Sequence, residues 1–349
     1  MKTLLRSPAW GAACGALIAT MLVSLPWDEA RANRSPLESP TGYTATTEPV
    51  IRRSGAALAF VEADSAPPPE CNYLADACGR DDWHWLDTLS VFLGLDGSKQ
   101  PQDFGINAQF GGRTAVNWGA PLWRPWGLGF QIGTAIDATA DAVQVVEQIQ
   151  GSTGRTQNFT TVGVFQRTPV GVSWGLAYDF LYENYYDTFR LGQWRLNLGY
   201  DLTRQDTIGV WSALRGYGDD GFFGATPIRL VPITQTNMYY RHTWANAVQT
   251  TFWGGLANGH GQVNGVLGDQ DFLHNPFVFG AELFVPLTDR LALFGQGNFI
   301  TPSGSGTVDA YLGVVFYPRG GVRRMTPAPF APLQTVAAPT NFAVDLRRR

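Results

Sequence analysis

Alternation of apolar and polar side chains constrains this chain more than any other feature of its sequence. It is clearest between Leu191 and Thr203. Successive side chains of an extended strand point to opposite faces, so such a segment has one apolar and one polar face, a pattern that no helix fits. The apolar row is Trp194, Leu196, Leu198, Tyr200 and Leu202, and the other row is Gln193, Arg195, Asn197, Gly199, Asp201 and Thr203.

The same alternation returns in further segments, including 104–118 and 126–137. One such strand could belong to a soluble sandwich, but its repetition favours a barrel with a lipid-facing row outside and a wet row inside. We therefore predict an all-β fold, an antiparallel transmembrane β-barrel of about 12 strands within residues 85–318. The predicted strands lie near 85–96, 104–117, 126–137, 158–167, 171–183, 190–203, 206–215, 229–243, 247–257, 276–287, 290–301 and 307–317.

The connections sort into two kinds. Tight turns are predicted at Thr168-Pro169, Arg204-Gln205, Ala245-Asn246 and Thr288-Asp289, and long polar loops at 138–157, 216–228 and 258–275. Their alternation is typical of an outer-membrane barrel, which has short turns at one end and long loops at the other. An even strand count requires the segment 85–96, for which an amphipathic helix or a plug inside the lumen is the alternative.

Aromatic residues cluster at the predicted strand ends, as expected for the two girdles of a spanning barrel. The short-turn set is Trp118, Trp123, Trp126, Trp174 and Trp244, and the long-loop set is Tyr182, Tyr185, Tyr186, Phe189, Tyr217, Phe222 and Phe223.

Both ends of the chain differ from the barrel region. Residues 1–32 have a basic start, an apolar run and a small-x-small site, which predicts a cleaved signal peptide. Residues 33–84 are predicted to be a Pro/Ala/Ser-rich flexible lead-in, in which Cys71 and Cys78 would form a local disulfide in an oxidising compartment. The Pro-rich residues 319–349 are predicted to be a disordered tail.

The charge balance bears on partners and location. A net charge of −4 argues against nucleic acid as a partner. After the signal peptide no apolar run approaches the roughly 18 residues of a spanning helix. Residence in a membrane must therefore depend on strands, and we expect the cell outer membrane as the location and its lipid as a partner.

Three sequence motifs resemble an uncharacterised family of exported planctomycete-type proteins that are predicted to be barrels. They are Val91–Lys99, Asn117–Leu122 and Trp126–Phe130. The resemblance covers about residues 85–318 and implies a barrel fold and an exported location, without an activity. More loosely, the strand and loop pattern is similar to bacterial porins, although here a tail follows Phe316 and Tyr317.

The inner row of the predicted barrel carries charges of both signs. Charges in a lumen either line a path or lock a filled interior, and the near-balanced signs do not separate these two options. Our hypothesis is a narrow pore for small polar solutes, with a closed structural or anchoring barrel as an alternative. A third hypothesis is a soluble secreted β-domain that binds carbohydrate through Trp and Tyr. The predicted lumen-lining residues are Arg113, Asp137, Asp179, Glu183, Arg195, Asp201, Arg215, Arg241, Glu282 and Asp309.

The histidines and acidic loops are the sequence's candidates for catalytic or metal-binding residues. His242 lacks a serine at a matching position on its strand, and no phosphate-binding loop, paired-His zinc motif or nucleophile elbow is present in the sequence. Asp269 and Asp271 could bind calcium, but Gly/Asn/Asp content is typical of any exposed loop. We expect no enzyme activity, no cofactor and no metal site.

Overall fold

The structure, a computed structural model, describes residues 84–103, 108–142, 154–258, 260–261, 272–273, 276–301, 307–324 and 328–348. The predicted signal peptide, the lead-in up to residue 83 and the Cys71–Cys78 disulfide lie outside the described residues, as do Asp269 and Asp271. Within the described part no helix is long and apolar enough to span a membrane.

The described chain is almost entirely extended. In chain order the strands are β1 (Ser90–Lys99), β2 (Gln109–Trp123), β3 (Leu128–Asp141), β4 (Gly154–Arg167), β5 (Val172–Asn184), β6 (Thr188–Asp201), β7 (Asp206–Tyr217), β8 (Asp219–Phe223), β9 (Thr226–Pro232), β10 (Gln235–Thr243), β11 (Gln249–Ala257), β12 (His260–Gly261), β13 (Phe272–Leu273), β14 (Phe277–Pro286), β15 (Leu291–Thr301), β16 (Thr307–Phe316) and β17 (Val344–Arg348). Three 3-10 turns cover Trp85–Asp87 (η1), Pro101–Asp103 (η2) and Arg124–Trp126 (η3).

Twelve of these strands form a closed antiparallel barrel, which confirms the predicted fold and strand number. The order around the barrel is β1, β16, β15, β14, β11, β10, β7, β6, β5, β4, β3 and β2. Closure is made by β1, whose Leu95 pairs with Leu312 of β16 on one side and with Gly112 of β2 on the other. The helix or plug considered for 85–96 is therefore wrong, because the segment from Ser90 is a wall strand.

The predicted segment 229–243 is two strands rather than one. Its first part is β9, which pairs with β8 in a hairpin outside the barrel, and its second part is the wall strand β10. Pro232 marks the break, since proline cannot donate a ladder hydrogen bond.

The barrel has two different ends. The connections 124–127, 168–171, 202–205, 244–248 and 287–290 define the short-turn end, where β1 begins and β16 finishes. At the opposite, long-loop end lies a three-stranded sheet of β17, β9 and β8. The chain leaves β16 at the short-turn end, yet β17 pairs at the long-loop end, so the residues between them cross the length of the barrel.

Candidate functional site

The residues that cross the barrel, Ala328–Arg348, are named here the tail segment. The prediction of a disordered tail is wrong for this part of the chain. Val336, Phe342 and Val344 are at most 4% exposed, and the segment packs inside the lumen. Prolines at positions 329, 332 and 339 favour an extended backbone and remove donors, so wall side chains pair with the backbone instead.

Near the short-turn end the tail segment is bound by polar side chains of wall strands that include β4 and β3. Arg167 Nη1 donates to the carbonyl oxygen of Ala331 at 2.7 Å. Gln131 Oε1 accepts from the backbone nitrogens of Leu333 and Gln334, both at 3.1 Å. These contacts fix the depth at which the tail enters the lumen.

In the middle of the barrel, two wall arginines donate to tail carbonyl oxygens. Arg195 Nη2 lies 2.7 Å from the oxygen of Thr335, and Arg113 Nη2 lies 2.7 Å from that of Ala337. Thr161 Oγ1 accepts from Ala337 N at 2.9 Å, so both the N–H and the carbonyl group of Ala337 are hydrogen-bonded to the wall. Charge-assisted hydrogen bonds of this kind are stronger than neutral ones.

Toward the long-loop end, the tail continues into sheet pairing. Gln193 Nε2 donates to the oxygen of Asn341 at 3.0 Å, and Ile233 N donates to that of Ala343 at 2.8 Å. Beyond this point β17 pairs with β9, with Leu346 opposite Leu230. The tail is therefore attached to both the barrel wall and the hairpin at its mouth.

Apolar side chains fill the space that the hydrogen bonds leave. Phe342 packs edge-on against Phe159 with ring centroids 5.8 Å apart, and both are at most 1% exposed. One buried cluster combines wall residues such as Leu181 and Phe159 with tail residues such as Val336 and Val344. Phe189 and Phe223, predicted for an aromatic girdle, are instead buried in this cluster.

Inward-facing charges form ion pairs along the wall. Arg113 Nη1 lies 2.6 Å from Asp137, Arg195 Nη2 lies 3.0 Å from Asp179, and Arg155 Nε lies 2.5 Å from Glu183. Arg241 and Glu282 lie 3.9 Å apart and are less buried. Each arginine thus neutralises a carboxylate that burial would otherwise penalise.

The remaining predicted lumen residues lie apart from these pairs. Asp201 is exposed at the short-turn rim, where it accepts a hydrogen bond from Thr207. Arg215 is at the other rim, with Nε 3.1 Å from the oxygen of Pro232. Asp309 is buried in the wall. The structure therefore does not gather the ten predicted residues into one site.

Among the described residues, four buried charged residues were missed by the sequence reasoning, namely Asp96, Asp103, Arg155 and, in the tail segment, Asp345. Arg155 precedes the predicted start of its strand, and Asp103 falls in a connection, although the two side chains lie 3.4 Å apart. Burial raises the pKa of Asp103 to about 7, an effect that the nearby Arg155 partly opposes. Asp96 had a signal in the sequence, since it alternates with Leu93 and Leu95.

A cavity of about 1740 Å³ remains beside the tail and extends to the short-turn end. Its wall includes Tyr239, Arg241, Glu282 and Tyr317, and the tail residues 328–336 form its other side. Deeper in the barrel, Phe159, Asp179 and Asn298 are fully buried, so the long-loop half of the lumen is filled.

The fold and its interior define a class of protein, a closed twelve-stranded antiparallel β-barrel filled by its own C-terminal segment. Residues 88–344 match the model of a family of unknown function (DUF6666), and the chain belongs to that family. The match identifies no planctomycete origin. It extends through most of the tail segment, so the residues that fill the lumen lie within the region that the family shares.

Solved structures with some likeness are membrane β-barrels. KdgM porin is 6% identical with a TM-score of 0.38, over 65% of this chain and 98% of that one. The translocator domain of autotransporter NalP from Neisseria meningitidis is 8% identical (TM-score 0.40; 70% and 92% covered). Outer membrane phospholipase A from Escherichia coli is 10% identical (TM-score 0.39; 70% and 96% covered). Values this low carry no information about activity, and no curated protein gave a significant match.

Proposed function

We propose that this protein is an integral outer-membrane β-barrel whose lumen is closed by its own C-terminal segment, and that it acts as a membrane anchor for its long-loop surface. The passage of the tail segment through the lumen is the observation that carries the closed state. Among the described residues, the β8–β9–β17 sheet is the largest folded element that the anchor would display at the long-loop end.

The distribution of side chains between the two faces supports residence in lipid. Leu198 is 56% exposed and Met238 is 72% exposed on the outer face, whereas Asp137 and Asp179 inside are fully buried. A soluble protein rarely exposes so continuous an apolar surface while it buries charges. Wall strands of 9–15 residues are long enough to span a bilayer when they are tilted.

Aromatic residues at the short-turn end support the same placement. Trp123, Trp126 and Trp244 are each more than half exposed, and the first two rings stack with centroids 4.8 Å apart. Tryptophan is enriched where a membrane meets water, because its ring is apolar and its N–H is polar. The secreted carbohydrate-binding alternative would have to leave this belt and the Leu-rich face in water.

The two histidines whose side chains the structure describes support a role without catalysis. His84 Nδ1 accepts from Leu86 N and so caps η1. His242 Nδ1 lies 2.7 Å from Asp206 Oδ1, and its ring packs edge-on against Trp244. Both interactions stabilise strand and turn ends, so we propose no enzyme activity for the barrel.

Conductance in planar lipid bilayers tests the closed state. We expect the full chain to insert without channel events, because the tail fills the long-loop half of the lumen. Reproducible steady conductance from the purified full chain would overturn the proposal. Heat-modifiable gel mobility checks insertion, and a protein that stays monomeric and soluble without detergent would contradict the membrane placement.

A pore for small polar solutes is the second candidate, and the cavity of about 1740 Å³ beside the tail favours it. In this case the tail segment would be a gate. A variant that ends at Val322 lacks the tail but retains all wall strands. We expect this variant to conduct if it folds. A folded barrel that stays silent without its tail would exclude the pore and leave the anchor.

A further inference from the structure

A patch of oxygen atoms in the lumen wall has no hydrogen-bond partner among the described residues. It comprises both carboxylate oxygens of Asp96, Ser98 Oγ, Thr307 Oγ1 and Asp309 Oδ1. The four residues are at most 3% exposed. Buried polar atoms are nearly always paired, so five unpaired oxygens in one place require an explanation.

Strand register brings these oxygens together. Ser98 on β1 lies opposite Asp309 on β16, and Asp96 lies opposite Tyr311. On one face of an antiparallel pair, Cα atoms that are diagonal neighbours, such as those of Asp96 and Asp309, are about 7–8 Å apart. Both carboxylates and the Ser98 hydroxyl therefore face the same part of the lumen, and Thr307 is the next inward residue on β16.

The charges around the patch leave it negative. Arg113 and Arg195 pair with Asp137 and Asp179, while Arg155 serves both Glu183 and Asp103. Neither Asp96 nor Asp309 forms a salt bridge with a described residue. Lys99 alternates to the outer face with Leu95 and so does not neutralise them. Two buried carboxylates without a counter-charge are strongly unfavourable.

We propose that Asp96 and Asp309 bind one divalent cation, with the hydroxyls of Ser98 and Thr307 as further ligands and Ca²⁺ as the matching ion. Calcium takes oxygen ligands in flexible geometry, whereas zinc prefers nitrogen and sulfur. Within the described residues no three His, Cys, Asp or Glu side chains gather to hold a metal. The site therefore depends on two carboxylates supplemented by neutral oxygens.

The ion would also brace the tail segment. Gln100 Nε2 lies 3.1 Å from Asp309 Oδ2 and 3.3 Å from the oxygen of Pro339, and Gln100 Oε1 accepts from Val344 N at 3.1 Å. Fixing Asp309 fixes Gln100, and Gln100 binds the tail at two points. This coupling rests on the proposed closed barrel, whereas the ion site itself does not.

Calcium titration of the purified full chain in detergent tests the site. After chelation and dialysis, we expect isothermal titration with Ca²⁺ to give one site per chain and Ca²⁺ to raise the unfolding temperature by several degrees. The Asp96→Asn/Asp309→Asn variant should lose both effects. It should be at least as stable as the unsubstituted chain in chelator, because two buried charges are removed.

Asp220→Asn is the matched control, since Asp220 is an exposed carboxylate on β8 outside the barrel, and it should leave the Ca²⁺ response unchanged. No binding and no shift in the unsubstituted chain would overturn the proposal, as would an equal response in the double variant. If the double variant does not fold, Asp96→Asn alone must weaken Ca²⁺ binding at least tenfold. None of these measurements uses conductance. A negative result would therefore reject the calcium site without rejecting the proposed closed barrel.

Discussion

Arg113 donates from Nη2 to the backbone oxygen of Ala337 at 2.7 Å, across 224 residues of sequence. The other terminal nitrogen of the same guanidinium contacts both carboxylate oxygens of Asp137. One side chain therefore connects two wall strands to the tail segment in the middle of the lumen. The barrel wall thus supplies a hydrogen-bond donor to a part of the tail segment that is not paired with any described strand.

Replacement of Arg113 should be costly because it leaves Asp137 buried without its partner. We expect Arg113→Met to lower the free energy of unfolding by about 3–5 kcal/mol, the usual cost of breaking a buried pair. Arg113→Met/Asp137→Leu should recover most of that loss, since no uncompensated charge remains. Urea unfolding in detergent, followed by tryptophan fluorescence, measures the free energy of unfolding of both variants. Equal loss in the single and double variants would show that the tail contact, rather than the pair, matters.

Gly175 makes room for the tail segment. A Cβ atom at this position would lie 3.1 Å from Gln334 Nε2 and from Leu333 Cδ2, while the nearest wall atom, Phe165 Cβ, is at 3.5 Å. We expect Gly175→Leu to displace the tail and leave the wall intact. In a chain with its native cysteines replaced, Ala337→Cys should then react with a water-soluble maleimide.

Gly112→Leu is the matched control for this experiment. Gly112 faces outward, and its nearest atom would be 4.0 Å from an added Cβ. Ala337→Cys should stay protected in that background. Equal labelling with both substitutions would mean that the tail does not depend on the space at Gly175.

A disulfide between the tail and the hairpin should lock the closed state. Leu230 and Leu346 are direct partners in the β9–β17 pair, and their spacing suits a disulfide. We expect Leu230→Cys/Leu346→Cys to oxidise to a species with altered gel mobility that a reductant reverses. Each single cysteine variant is a control. Failure to cross-link in the folded barrel would contradict the position of β17.

Asp103 should make stability depend on pH. Its pKa is raised to about 7, whereas the unfolded chain has the ordinary value near 4. The folded state holds the proton more tightly, so its stabilising effect is complete below about pH 4 and is lost as the pH rises to about 7. Unfolding free energies from pH 4 to 8 should fall more steeply for the unsubstituted chain than for Asp103→Asn. Parallel curves would refute this assignment.

Side-chain alternation alone determined the barrel wall. Leu196 and Leu198 face outward and Arg195 faces inward as the pattern predicts, because the period of two is a local property of an extended backbone. Tight turns such as Thr168-Pro169 were also predictable, because the preference of residues such as proline for turns is likewise local. Trp253 was ambiguous in the sequence, and the closed barrel places it inside, where Nε1 donates to Asn298 at 2.9 Å.

Only the tertiary structure decided the fate of the tail segment. Its prolines and lack of periodicity are typical of disorder, and nothing local distinguishes a solvated chain from a buried one. The partners of its backbone include Gln131, Arg195 and Arg113, which lie 140 or more residues away. Such donors and acceptors become neighbours only when the barrel closes around the tail, and for this reason the sequence predicted the wall but not what fills it.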